Sequence, residues 1–302
     1  MRYAIVVHGG AGGTSPEAEQ GCRRAAQAGA KALRGGGSSL DAAVAAVQWM
    51  EDSGRFNAGA GAVLRLDGAT IETDAAVATS AGLQGVVGAV RDVRNPVLLA
   101  RAVAQETPHF MLTGEGASAL AKALGLAPHP GPSARALERY RALREAIARG
   151  DASLLGAGWS EPMAAKLMGL LGGDEGQVPH EGDTVGAVAL DSAGMFAVAS
   201  STGGARAMLL GRIGDVPFRR CGYQVGVLGG VAATGIGEEI MRREGAGKVY
   251  QLLEMGLVPQ AACEAVVKLF PVNVSVGFIA LTGDGVGVAA NCPMATHAIV
   301  KG

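Results

Sequence analysis

Residues 184–202, TVGAVALDSAGMFAVASST, most restrict what this chain can fold into. Two apolar runs flank Asp191-Ser192-Ala193-Gly194, and that arrangement reads as a buried β-hairpin. A second hairpin closes the chain, where SVGFIALTGDGVGVAAN turns at Gly283-Asp284-Gly285. Between Phe56 and Val93 short apolar runs are broken by glycine and by Asp67-Gly68, a further hairpin signal. Residues 3–8 read as a strand running into the glycine loop His8 to Gly13. Helical stretches separate these groups. Segment 16–34 starts at Ser15-Pro16 and stops at Gly35-Gly36-Gly37, and Asp41 to Met50 follows Ser38-Ser39. Further helices are expected over Pro96–Gln105, Glu115–Leu124, Ala134–Arg149, 237–254 and 259–269. Strands joined by hairpins rather than crossovers imply an α+β fold with helices outside antiparallel sheets, not a doubly wound parallel sheet.

Composition narrows the class of partner. The 26 basic and 27 acidic residues leave a net charge of -1, which offers no broad attraction to nucleic acid or to a membrane surface and suits a small polar substrate. The 48 glycines and few aromatics point to tight turns and close backbone approaches. Cys22, Cys221, Cys263 and Cys292 show no CxxC spacing, so buried free thiols are expected rather than disulfides or zinc. The apolar run in MRYAIVVHGG is too short for a signal-peptide core, and no stretch of transmembrane length lacks glycine or charge; a cytoplasmic protein is the expectation.

The segment from about 150 to 183 has the composition of an exposed linker and leads directly into Gly182-Asp183-Thr184. A threonine opening a strand is ordinarily there for its β-branched shape. Here two more threonines stand beside strand ends and glycine, in Ser200-Ser201-Thr202-Gly203-Gly204 and in Ala233-Thr234-Gly235-Ile236-Gly237. On adjacent strands, their hydroxyls can converge. A threonine hydroxyl needs a base, and no Lys or His lies in these segments. The α-amine of Thr184 can serve, with a pKa of roughly 7.7–8.0, but it exists only once the Asp183–Thr184 bond is cut. The opening HGGAGG lacks the Lys-Ser/Thr of a P-loop and the dinucleotide spacing, so His8 reads as structural, not as a ligand.

GDTVGAVALD at 182–191, SSTGG at 200–204, GRIGDVP at 211–217 and ATGIGEE at 233–239 together resemble the plant-type asparaginase and isoaspartyl peptidase family of N-terminal-nucleophile hydrolases. HGGAGG at 8–13 and FNAGAGAVL at 56–64 extend the resemblance over nearly the whole chain. It implies a single four-layer αββα domain over 1–302, cut into an α subunit, 1–183, and a β subunit, 184–302, and paired as a dimer of αβ units. It implies hydrolysis of asparagine and β-aspartyl dipeptides through an aspartyl ester on Thr184. Thr202 would tune that nucleophile, Thr234 and the Gly235 N–H would form the oxyanion hole, and Asn57 would brace the region. Arg212 and Asp215 would hold the substrate's α-carboxylate and α-amino group, with the Gly237 carbonyl on the amine; guanidinium binds carboxylate through two parallel hydrogen bonds. No cofactor is implied beyond a structural sodium ion on the backbone of the loop Glu51–Phe56. Ala78-Thr79-Ser80 and Arg219 to Gly226 depart from the family habit, which loosens the inference about substrate. Two rivals are a glycosylasparaginase, which typically has His-Asp-Thr and Ser-Thr-Asn-Gly where this chain has Gly182 and Gly203, and a non-catalytic glycine-rich binding domain.

Overall fold

The computed structural model describes residues 3–148, 166 and 184–302. The expected linker and the Asp183 side of the expected cleavage site lie outside the described residues. Two sheets carry the fold. In chain order the strands are β1 (Tyr3–Ala11), β2 (Thr73–Thr79), β3 (Gln84–Val90), β4 (Met111–Thr113), β5 (Thr184–Leu190), β6 (Phe196–Thr202), β7 (Tyr223–Gly226), β8 (Gly229–Gly235), β9 (Val276–Thr282), β10 (Val286–Ala290) and β11 (Met294–Lys301). One sheet runs β11-β1-β5-β6-β2-β3-β4 and the other β10-β9-β8-β7. Among the strand pairings of the described residues, β3–β4 is parallel and the others are antiparallel.

Local chemistry sets the element ends. Helix α1 (Pro16–Arg34) is capped by Ser15, whose hydroxyl accepts from the Ala18 N–H, and has Glu17 and Glu19 in its first turn and Lys31 and Arg34 in its last. Helix α2 (Ser39–Ser53) opens with a reciprocal capping box between Ser38 and Asp41. In the β5–β6 turn one Asp191 carboxylate oxygen accepts from the N–H groups of Ala193 and Met195, while the other accepts from Ser39 N, tying the hairpin to α2. The remaining helices are α3 (Pro96–Glu106), α4 (Gly114–Ala123), α5 (Ala134–Ala148), α6 (Gly237–Arg243), α7 (Gly245–Glu254) and α8 (Pro259–Val267).

Strand residues alternate between two environments. On β5, Val185, Ala187 and Ala189 pack toward α1 and α2, whereas Val188 and Leu190 join a cluster with Val198, Ala232 and Ile279 that lies between the sheets. On β8 and β9 the outward residues Val231, Ala233, Phe278 and Ala280 meet Val249, Leu253 and Val266 of α7 and α8. Period-two burial on both faces means that each polar residue's position in the count decides which layer it enters.

Three expectations need correction. Gly9, Gly10 and Ala11 belong to β1; the register against β11 shifts between His8 and Ala11, so the glycines make a strand irregularity instead of a loop. Asp67-Gly68 turns within the connection before β2, where Arg65 N donates to the Thr70 carbonyl, and the β2–β3 hairpin instead turns through Ser80 to Leu83. The stretch 237–254 is two helices, because Glu244 takes a left-handed conformation with φ 49°. Strands β4, β7 and β11 went unread: the first two are very short, and β11, ATHAIV in an outer strand, has no turn signal linking it to its distant partner β1.

Candidate active site

Register brings Thr184 opposite Thr202 across β5 and β6, and Thr202 opposite Asp74 across β6 and β2. All three are buried, and their positions in the strand alternation turn them toward the second sheet. The Thr184 hydroxyl donates to the Thr202 hydroxyl over 3.3 Å, and the Thr202 oxygen also accepts from Gly204 N at 2.9 Å. Thr202 is therefore held from behind while it faces Thr184.

The third threonine comes from the facing sheet. A side chain on Gly230 would meet Val188, and one on Gly186 would meet Ala232, so the same progression sets Thr184 opposite Thr234. The fully buried Thr234 hydroxyl accepts from Ala11 N at 3.1 Å, a bond that the β1 irregularity makes reachable. Gly235 follows with φ 139°, and a Cβ there would stand 2.2 Å from the Ser275 carbonyl oxygen. Gly235→Ala is expected to lower unfolding free energy by about 2–4 kcal/mol through backbone strain and overpacking, measurable by urea titration against the parent protein.

Arg212 and Asp215 converge on the start of α6. A Cβ on Gly237 would lie 2.9 Å from one Asp215 carboxylate oxygen and 3.0 Å from Arg212 Nη2, so glycine is what allows the helix to begin there. The Asp215 Oδ2 atom is buried without a hydrogen-bond partner. Burial pushes the Asp215 pKa up to about 7, only partly offset by the Arg212 charge. Arg212 does not pair with Asp215. Its Nε and Nη2 donate to the two Glu238 carboxylate oxygens at 2.9 and 2.7 Å. With about half of the Glu238 side chain exposed, that pair contributes about 0–1 kcal/mol, and an incoming carboxylate can exchange with it at little cost.

Asn57 braces the segment after Thr202. Its Nδ2 donates to the Gly204 carbonyl (2.5 Å), its Oδ1 accepts from Val63 N (3.0 Å), and its carbonyl accepts from Gly203 N (2.8 Å). Sequence reading missed Arg65, Glu72 and Asp74. The wholly buried Arg65 donates through Nε to Glu72 (3.1 Å), through Nη1 to the Gly203 carbonyl (3.3 Å) and through Nη2 to the Arg212 carbonyl (3.4 Å), linking the segments after Thr202 and around Arg212. Asp74 accepts from Ala89 N (2.8 Å), and burial raises its pKa. The available signal was a charge inside an apolar run, in AVLRL and in TDAAVAT.

Of the expected loop Glu51–Phe56, Glu51 to Ser53 close helix α2, and after it a Cβ on Gly61 would stand 2.1 Å from the Phe56 carbonyl oxygen and 2.8 Å from the Gly54 carbonyl oxygen. The Glu51 side chain points elsewhere, accepting from Val97 N at the start of α3 and from Asn95. Among the described residues no cluster of three His, Cys, Asp or Glu could hold a metal, and no helix is long and apolar enough to cross a membrane. A cleft of about 480 Å³ opens beside Gly9, Thr14, Glu17, Arg55, Phe56 and Arg135, and none of the three threonines lines it.

Comparison with known proteins finds the asparaginase family pattern across residues 1–302. The chain is 34% identical over 308 residues to a plant-type L-asparaginase of Pyrococcus abyssi, an alignment covering 99% of this chain and 96% of that protein. It is 39% identical over 276 residues to an isoaspartyl peptidase/L-asparaginase of Danio rerio, covering 87% and 80%. A Xenopus laevis protein of the same description is 38% identical over 275 residues, covering 88% and 80%.

Proposed function

Because the chain belongs to the asparaginase family, we propose that this hydrolase cuts its own Asp183–Thr184 bond and then uses Thr184 to hydrolyse asparagine and β-aspartyl dipeptides. The observation that carries the reading is the Thr184–Thr202 hydroxyl contact of 3.3 Å at the first residue of a buried strand, with Thr234 entering from the facing sheet. In the intact chain the Thr184 hydroxyl attacks the Asp183 carbonyl carbon; the Asp183–Thr184 C–N bond breaks as the ester forms, and water then cleaves the ester. Subunits 1–183 and 184–302 result.

The freed Thr184 amine takes the hydroxyl proton as the oxygen attacks the substrate's side-chain amide. Thr202 holds the nucleophile's orientation. Thr234 and the Gly235 N–H stabilise the oxyanion, each such donor contributing about 3–4 kcal/mol. The amine returns the proton to the departing nitrogen, and water attacks the aspartyl ester to release aspartate. Arg212 exchanges Glu238 for the substrate's α-carboxylate, and the unpartnered Asp215 oxygen, with the Gly237 carbonyl, receives the α-ammonium group. Asn57 steadies the Thr202 segment.

The three hydrophobic clusters, one between the sheets and one on each outer face, support a four-layer αββα sandwich. We include in the proposal a sodium ion on the backbone of Glu51–Phe56, with a purely structural role, and a dimer of αβ units. Denaturing electrophoresis of the purified protein tests the central claim. Two bands, for residues 1–183 and 184–302, are expected, and an intact yet active chain overturns the mechanism.

A further inference from the structure

His8 has no part in the chemistry above, yet it is fully buried and neither ring nitrogen completes a hydrogen bond. Leaving a buried polar group unsatisfied costs about 1–3 kcal/mol, so its presence calls for a reason. Its location supplies one. Register sets His8 opposite Gly186 on β5, and Gly186 opposite Ser200 on β6, one row below Thr184 and Thr202 on the same sheet face. Ser200 Oγ is likewise buried and unpartnered. The imidazole lies directly over the β5 backbone, since a Cβ on Gly186 would stand 2.3 Å from His8 Nε2.

Burial drives the His8 pKa down to about 3, and the influence opposing burial is the main chain of Thr184. The ring is therefore neutral at working pH, with one N–H to donate, and is too weak a base to take the Thr184 proton. Strand β1 also carries Ala11, whose N–H holds Thr234, so one strand reaches both the nucleophile and its facing threonine.

We propose that His8 is a positioning residue for Thr184, its ring N–H directed at the Thr184 carbonyl across the gap left by Gly186 and fixing the end of β5 from which the nucleophile projects. The inference rests on Thr184 being the nucleophile. Loss of the imidazole lets Thr184 drift after substrate has bound, so kcat falls while the Arg212 and Asp215 contacts that set binding persist.

The test compares His8→Leu, His8→Gln and Gly186→Ala with Thr184→Ala, on asparagine, in preparations whose melting matches the parent. His8→Leu is expected to lose about tenfold or more in kcat with KM within about threefold, and His8→Gln, which restores an N–H donor, to recover most of the loss. Gly186→Ala, which pushes the ring off the strand, is expected to reproduce the His8→Leu defect. Parent-level kcat in His8→Leu or in Gly186→Ala overturns the proposal. Where those two do not fold, His8→Gln decides, near-parent kcat supporting the donor role and a kcat loss at unchanged KM overturning it. An active Thr184→Ala instead overturns the nucleophile reading itself, whatever the His8 variants do.

Discussion

Thr184→Ala is expected to remain a single chain and to release no ammonia from asparagine, a loss on the order of 10⁴-fold or more in kcat. The double consequence follows from one hydroxyl serving both reactions. Without it nothing attacks the Asp183 carbonyl, the strand end stays acylated, and no α-amine appears to act as base. The fold itself is expected to survive. Thr184 contributes one hydroxyl contact to Thr202, and the neighbouring residues Val185 and Ala187 keep the sheet packed on its helices. Electrophoresis and ammonia release read the two outcomes separately. Cleavage in this variant sinks Thr184 as the attacking group, and activity in an uncut variant sinks the amine as base.

Asp215→Asn is expected to weaken catalysis and strengthen the fold. Removing the charge that meets the substrate's ammonium group costs about 2–5 kcal/mol, roughly 30- to 4,000-fold in kcat/KM, expressed mainly in KM. The stability change has the opposite sign. Burial raises the folded-state pKa of Asp215 to about 7, above the usual carboxylate value, so the folded protein binds this proton more tightly than the unfolded chain. Stability from this group is fully present below about pH 4 and is lost as pH rises through about 7, where a buried carboxylate with one unpartnered oxygen must ionise. Asparagine has no proton to lose. The variant should match the parent near pH 4 and exceed it by about 2–4 kcal/mol at pH 8, measured by urea unfolding in the two buffers. A variant no more stable at pH 8 removes the buried, unpaired Asp215 from the account. The parent's KM for asparagine should also fall as pH rises through about 7, since only the ionised carboxylate attracts the ammonium group.

What could be read before the fold was known is what depends on near neighbours. The β5–β6 turn was visible because Asp191 and Gly194 act within a few residues, and α1 because Ser15, Pro16 and Gly35 bracket it. The β9–β10 hairpin is of the same kind. Where reading failed, the deciding partner was distant in the chain. HGGAGG reads as a loop because its glycines break local pattern, whereas pairing with β5 and β11, nearly 180 and 290 residues away, holds its first four residues in a strand. Asp67-Gly68 does make a turn, but turn chemistry does not say whether strands lie on both sides.

The candidate site divides in the same way. The sequence alone determined which residues were available: three threonines beside glycine, an Arg-Asp pair three residues apart, and no Lys or His in the threonine segments. Those are properties of residue type and order. Only the tertiary structure decided that Thr184 meets Thr202, that Arg212 is held by Glu238 while Asp215 Oδ2 stays unpartnered, and that Arg65 ties the two segments from within the core. It also decided that His8, which the chain order separates from Thr184 by more than 170 residues, sits one row beneath it. The physical reason is register. In a strand of period two, one residue of slip exchanges the faces, and register is set by the burial of whole sheets against each other and against their helices.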